Sequence, residues 1–414
     1  MGEARSALAT WMQVAAQPPC PAAIPAIPGP RHGDAPFILS PHDPNTLYAG
    51  LNELFKNADR GDHWRSLGDL TTRTDRRTLE IMGQKPDSFT LSLDDGIPYW
   101  PTISAVAESP FTPGVLYVGT DDGQVQVSKD DGRTWANVTS RIPGLPQMAW
   151  INSLHASKHR DGRVFLAANN YRNDDYANHL WRSDDHGSTW TSVAGDLPAN
   201  RVARTLRDDP CNPDVLYLGT EFGVFWSWNG GANWVELRGG LPTVAVNDLL
   251  VHPRDNDLVL ATHNRGVWIL DQANALQEMT PAVAGRASHL FSVEPSEEVR
   301  YRAHTGNMIF EGANPPAAAI LDYRIQDEGT EVPLTVHDAT GAQVAKVQGT
   351  GHRGINRALW TCATQLASRA SGLRSSVEAW MGPLTADHAS QKAFFAETLA
   401  TLTREWEGVR GRVR

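Results

Sequence analysis

The sequence predicts a mainly β protein whose body is a propeller, a ring of short antiparallel sheets. Three observations predict it. First, Asp209–Trp234 (DPCNPDVLYLGTEFGVFWSWNGGANW) reads as turn, strand, tight connection, strand and glycine-rich turn closed by Trp. The same grammar recurs at Pro41–Trp64, at Pro110–Trp135 and, with a longer middle loop, at Ala156–Trp190. Second, Trp64, Trp135, Trp190 and Trp234 fall 71, 55 and 44 residues apart, and the shortest interval matches one four-stranded blade. Third, the runs between these turns alternate β-branched and aromatic residues over four to six positions, with Gly, Pro and Asp between them.

In order along the chain, residues 1–34 read as a Pro/Ala-rich extension. Its Ala7–Ala16 stretch is interrupted by Thr10, Trp11 and Gln13, which makes a poor secretory-signal core, and PPCPAAIPAIPGP reads as an extended linker. Residues 35–275 hold about five repeat units. Their first strands are PFILSP, TISAVAESP, INSLHASK, ARTLRDDP and VNDLLVHP. Second strands are TLYAG, VLYVG, VFLAA, VLYLG and LVLAT, and third strands are ELFKNA, QVQVSK, HLWRSD, VFWSW and GVWILD.

The turn after each third strand is the most specific signal. Ser128–Trp135 and Ser183–Trp190 both fit S-x-D-x-G-x-T-W, and Asn57–Trp64 and Ser227–Trp234 are weaker copies. Asp59, Asp130, Asp185 and Asn229 at the third position suit acceptance of turn N–H groups. Gly61, Gly132, Gly187 and Gly231 at the fifth supply a positive φ, and the closing Trp rings fill space between sheets. This pattern resembles the Asp-box, or BNR, repeat of sialidase-like and sortilin-like (VPS10-like) propellers. It is similar above all to bacterial proteins with sortilin-type BNR repeats that are often labelled glycosyl hydrolases. The resemblance implies that the Asp-box residues are structural and that a propeller of this type has six or more blades. The fifth unit lacks an Asp-box, so either five blades close on themselves or the ring is part of a longer one that needs further blades or a partner chain to cover its edges.

Residues 276–301 read as a linker. Residues 302–362 read as a small β-sandwich, cut short after Trp360, with Asp338–Gly341 as a hairpin turn. By resemblance this is the Ig-like or fibronectin-like module that follows such propellers. Residues 363–414 read as helical, with Thr385 as an N-cap and Phe395, Leu399, Leu402, Trp406 and Val409 as an apolar stripe.

Composition narrows the function. A net charge of −10 argues against a general nucleic-acid binder. No apolar run approaches the ~18 residues of a membrane helix. Cys20, Cys211 and Cys362 are too far apart for a disulfide framework or a metal site. No hydrolase nucleophile elbow, zinc-protease helix, phosphate loop or dinucleotide fingerprint is present, and no cofactor or metal is expected.

Propeller ligands gather at the channel mouth, on loops joining second to third strands and on loops entering first strands. The former carry Asp121, Asp122, Tyr171, Arg172, Asp174, Asp175, Glu221, His263 and Arg265; the latter carry Trp150, Asn152, Arg204, Asn247 and Asp248. Two readings follow. The leading one is a non-enzymatic binding or scaffold propeller presenting Trp150, Tyr171, Arg172, Arg204, His263 and Arg265 to a protein, peptide or glycan. The alternative is a glycoside hydrolase pairing Glu221 with Asp121 or Asp122, because glycosidic cleavage needs one carboxyl as acid and another as base or nucleophile. A sialidase proper would need an arginine triad and a Tyr–Glu pair, and only Arg204 and Arg265 are in view.

Overall fold

The computed structural model describes residues 35–80, 84–87, 89–90, 99–296 and 314–361. The extension at 1–34, Cys20, Cys362 and the helical tail at 363–414 lie outside the described residues. The chain divides into two compact units, cut at Leu250/Val251, Val259/Leu260 and Trp268/Ile269. Among the described residues no helix is long and apolar enough to cross a membrane.

The first unit is a β-propeller of four-stranded antiparallel meanders. Its first blade is β1 (Phe37–Leu39), β2 (Leu47–Gly50), β3 (Glu53–Asn57) and β4 (Trp64–Asp69). The second is β5 (Ile103–Glu108), β6 (Leu116–Thr120), β7 (Val125–Ser128) and β8 (Ala136–Asn137). The third is β9 (Trp150–Ala156), β10 (Val164–Asn170), β11 (Asp175–Ser183) and β12 (Thr191–Ser192). The fourth is β13 (Ala203–Asp208), β14 (Leu216–Thr220), β15 (Gly223–Ser227) and β16 (Val235–Leu237). A fifth sheet has three strands, β17 (Val246–Val251), β18 (Leu258–Thr262) and β19 (Val267–Leu270). First strands stand side by side, β1 beside β5, β5 beside β9 and β9 beside β13.

The glycine in LYAG, LYVGT and LYLGT follows from this packing. A Cβ on Gly50 would lie 2.6 Å from Ile103, one on Gly119 2.4 Å from Ile151, and one on Gly219 2.6 Å from the Val246 carbonyl oxygen. Second strands thus run against the next blade's first strand, where no side chain fits. The Tyr before each glycine is fully buried, and its hydroxyl is used: Tyr48 donates to Glu108, Tyr217 to Asp209, and Tyr117 meets the His186 ring nitrogen at 3.0 Å.

All four turn copies share one bonding scheme. The first residue accepts the N–H of the fifth, as Gly132 N to Ser128 Oγ (2.9 Å) and Gly61 N to Asn57 Oδ1 (2.6 Å). The third accepts the N–H of the seventh, as Thr134 N to Asp130 Oδ1 and Asn233 N to Asn229 Oδ1, both 2.9 Å. In Ser128–Trp135 the Thr134 hydroxyl also donates to Asp130, and this bond leads the effects holding the Asp130 carboxyl below its usual range. Trp135, Trp190 and Trp234 pack back onto the preceding blade, whereas Trp64, in the first blade, lies against Phe37 of its own sheet. Trp135 and Trp234 donate Nε1–H to the carbonyls of Leu67 and Val193, and Trp190 joins the core of Val127 and Val138.

The second unit contains α1 (Asn274–Gln277), α2 (Pro281–Ala284), β20 (Ser288–Leu290), β21 (Ala319–Ile325), β22 (Glu331–His337), β23 (Gln343–Thr350) and β24 (Gly354–Trp360). Sheets β20-β21-β24 and β22-β23 enclose a core of Leu321, Tyr323 and Ala358 backed by Val332, Leu334 and Val347. The segment read as a linker therefore supplies a strand of this unit, β20, which pairs with β21.

Candidate functional site

The channel mouth is built by one irregularity repeated in three blades. In β5 the pairing to β6 skips Ser104, in β9 the pairing to β10 skips Asn152, and in β13 the pairing to β14 skips Arg204. Each is a β-bulge, which adds one residue to a strand and re-aims its side chain. All three residues line a cavity of about 730 Å³. Ser104 Oγ donates to the Ile151 carbonyl (2.8 Å) and Asn152 Nδ2 to the Ala203 carbonyl (2.9 Å), each reaching the next blade's first strand. Arg204 breaks the series. Its guanidinium turns to the Glu221 carboxylate in a short ion pair, and its Nε is buried with no partner.

A second repeated position stands just beyond the strand-ending threonines. Asp121 N donates to Thr102 O (3.0 Å), Glu221 N to Val202 O (3.0 Å) and His263 N to Ala245 O (2.8 Å), so these three occupy equivalent places in blades two, four and five. Glu221 and His263 line the larger cavity, with Trp150, Tyr171, Arg172, Asn247 and Asp248. Asp121 lines a neighbouring cavity of about 480 Å³, and Trp150, Asn169 and Arg172 are common to both walls.

The chemistry of the two carboxyls differs. Asp121 is 3% exposed, and its oxygens accept from Thr102 N (2.7 Å) and Thr102 Oγ1 (2.9 Å). Burial nevertheless pushes its carboxyl up to about 7; the charge of Asp122 adds to this, while the Thr102 bonds and Arg172 oppose it. Glu221 keeps its place through the cation of Arg204. Between them runs an alternating stack: Arg172 lies 4.2 Å over the Trp150 ring and 5.4 Å over Tyr171, and Arg204 lies 5.8 Å over Tyr171.

Several expectations need correction. Asp122 accepts from Thr72 N (2.7 Å), Thr72 Oγ1 (2.6 Å) and the Thr120 hydroxyl, is fully buried and lines neither cavity, so it is a loop tie and not an acid poised for substrate. Arg265 also lines neither cavity, and its carbonyl accepts from Trp268 Nε1. Asp175 bonds His179 (2.9 Å) and Asn170 (3.0 Å) within its own loop. The sequence reading missed Arg76, Glu80 and Trp100, which line the smaller cavity from the connection between the first two blades. That connection carries no repeat, so no register assigned its side chains to the mouth. Arg207 was missed because it reads as an ordinary strand residue; it donates to Ser153 Oγ and to Asp248 at the larger cavity. Among the described residues no group of three His, Cys, Asp or Glu could hold a metal.

No family model matches the chain. A xyloglucanase from Hypocrea jecorina is 29% identical over 143 residues, covering 31% of this chain and 17% of that protein. A xyloglucanase from Acetivibrio thermocellus is 26% identical over 163 residues, covering 34% of this chain and 19% of that protein. The matches thus span less than a fifth of these relatives' length. Among solved structures, the GH74 xyloglucanase from Xanthomonas campestris is 19% identical with a TM-score of 0.43, covering 77% of this chain and 42% of that one. These findings overturn the leading expectation of a non-enzymatic scaffold, since the curated relatives are glycoside hydrolases, the class held as the alternative.

Proposed function

We propose that the channel mouth is a glycoside-hydrolase site acting on a polysaccharide, with Asp121 as proton donor and Glu221 as base or nucleophile. One observation carries the reading. Two carboxyls at the same repeat position, in blades two and four, are placed in opposite environments: Asp121 is desolvated and raised to about 7, whereas Glu221 is ion-paired to Arg204. Separating a pair of carboxyls in this way is how acid and base roles are assigned at one pH. The protonated Asp121 would deliver its proton to the glycosidic oxygen as the bond to the sugar breaks. Glu221, oriented by Arg204, would meet the developing oxocarbenium carbon or activate the water that attacks it. Trp150 and Tyr171 supply flat apolar faces of the kind that sugar rings stack on, and Arg172 braces both.

The xyloglucanase relatives make xyloglucan the first substrate to try. The four turns are read as Asp-boxes of the BNR, sortilin-like kind, in keeping with their shared bonding. The test is hydrolysis of xyloglucan and a panel of aryl glycosides. Glu221→Gln is expected to lower the rate by roughly 10²–10⁴-fold with the melting temperature unchanged. A wild-type protein inert on the whole panel would refute the reading, and full activity in Glu221→Gln would refute the residue assignment.

A further inference from the structure

Arg76 and Arg172 both line the 480 Å³ cavity, and neither forms an ion pair or a hydrogen bond to a carboxylate among the described residues. Every other arginine at the mouth is matched: Arg204 with Glu221, Arg207 with Asp248. Arg76 Nη1 is buried and has no acceptor. A buried donor of this kind is costly unless something accepts from it. Arg172 is stacked on Trp150 and Tyr171, which fixes the plane of its guanidinium while leaving its N–H edge open. Burial, with the charges of Arg76 and Arg204 adding, draws its pKa down, so its cation stands in a wall of like charges. Two acids share this wall, and neither is bonded to these arginines: Asp121 accepts from Thr102, and Glu80 faces Lys85 at 3.9 Å. In a protein of net charge −10, two guanidiniums without a carboxylate partner thus line one cavity, the donor geometry that suits an oxyanion.

We infer that the smaller cavity recognises an oxyanion carried on a sugar, a carboxylate or a sulfate ester, so that the glycan taken at this mouth is an acidic one. Trp100 and Trp150 in the same walls provide faces for the sugar ring, and Arg76 and Arg172 provide the forked donors for its anionic group. Arg172 belongs to both cavities, which would place the anionic ring next to the ring at Glu221. The inference takes its setting from the hydrolase reading, but its test is a binding test.

Three probes share one ring: galactose, galacturonate and galactose 6-sulfate, titrated against tryptophan fluorescence, with inorganic sulfate as a fourth arm. Galacturonate, galactose 6-sulfate or both are expected to bind at least tenfold tighter than galactose, and which of the two does so identifies the oxyanion. Arg172→Met and Arg76→Gln should each abolish that preference, read as the ratio of acidic-sugar to galactose affinity in the same variant. Arg76 sits on a short surface turn, so its variant keeps the test available should Arg172→Met fail to fold. Equal binding of galactose and both acidic sugars, no saturation by any sugar, or a preference that survives both substitutions would overturn the inference. So would inorganic sulfate binding as tightly as the sugars, because the cavity would then hold any anion. Turnover of neutral xyloglucan without acidic preference would leave the hydrolase reading standing and this inference fallen. Acidic-sugar binding lost in both variants, without turnover of any glycan, would do the reverse.

Discussion

Blades two and four are built on nearly the same text, LYVGTDDGQVQV and LYLGTEFGVFWS, yet their mouths differ. In blade two the bulged residue is Ser104, which bonds the next blade's backbone, and the carboxyl beyond the strand, Asp121, folds down onto Thr102. In blade four the bulged residue is Arg204, too long and too charged for that role, and it holds Glu221 in the larger cavity. One backbone device therefore yields a deeply buried, proton-holding carboxyl at the smaller cavity in one blade and a carboxylate presented to the larger cavity in the other. What differs is the bulged side chain, Ser104 against Arg204, and the Thr102 hydroxyl that ties Asp121 where blade four has Val202.

The widest break in this comparison comes from exchanging the two roles. Arg204→Ser, which copies blade two, removes the cation from Glu221 and is expected to lower glycan turnover by roughly 10²-fold or more, an effect of the size one positioned acid–base group contributes. Steady-state rates check it, and an unchanged rate would show that the Arg204–Glu221 pair is only structural.

Next in size is the turn glycine. At Gly231 of blade four φ is +91° and a Cβ would lie 2.5 Å from the Val193 carbonyl oxygen, which cannot yield. At Gly132 of blade two φ is +74° and the obstacle at 2.7 Å is the Leu67 side chain, which can. Gly231→Ala should cost about 3–5 kcal/mol against roughly 1–3 kcal/mol for Gly132→Ala, read from denaturant midpoints. Equal costs would deny that the blades pack differently at this point.

The pH response separates the two carboxyls. Asp121 binds its proton more tightly folded than unfolded, where its value is about 3.9. Its contribution to stability is thus complete below about pH 4 and is lost as pH rises toward the folded value of about 7. Asp121→Asn should flatten that decline in a melting-temperature series. The same proton predicts that hydrolysis falls as pH rises through about 7, and that this limb vanishes in the variant. Smallest is Ser128→Ala, which removes the hydroxyl accepting from Gly132 N and should cost about 1 kcal/mol by thermal unfolding.

The turns were legible because each is local. Eight residues contain donor, acceptor and glycine, so Asp130, Asp185 and their partners could be assigned without knowing any neighbour. The Ser or Asn at the first turn position recurs in the sequence, but its role as acceptor for the Gly N–H exists only in the folded turn. Asp122 was misjudged for a related reason. In sequence it looks as available as Asp121, but Thr72, which occupies it, lies fifty residues earlier in an unrepeated connection.

The sequence by itself determined the blades: their strands, the glycines that let sheets approach, the turns and the Trp that closes each one. All of these depend on contacts within a repeat or between successive repeats, where periodicity reports the neighbour. Tertiary structure alone decided which acids face the cavities. A bulge shifts the register by one residue, and a side chain from another loop either ties a carboxyl down or leaves it presented. Glu221 and Asp121 share a position in the text; Arg204 and Thr102 gave them different chemistry.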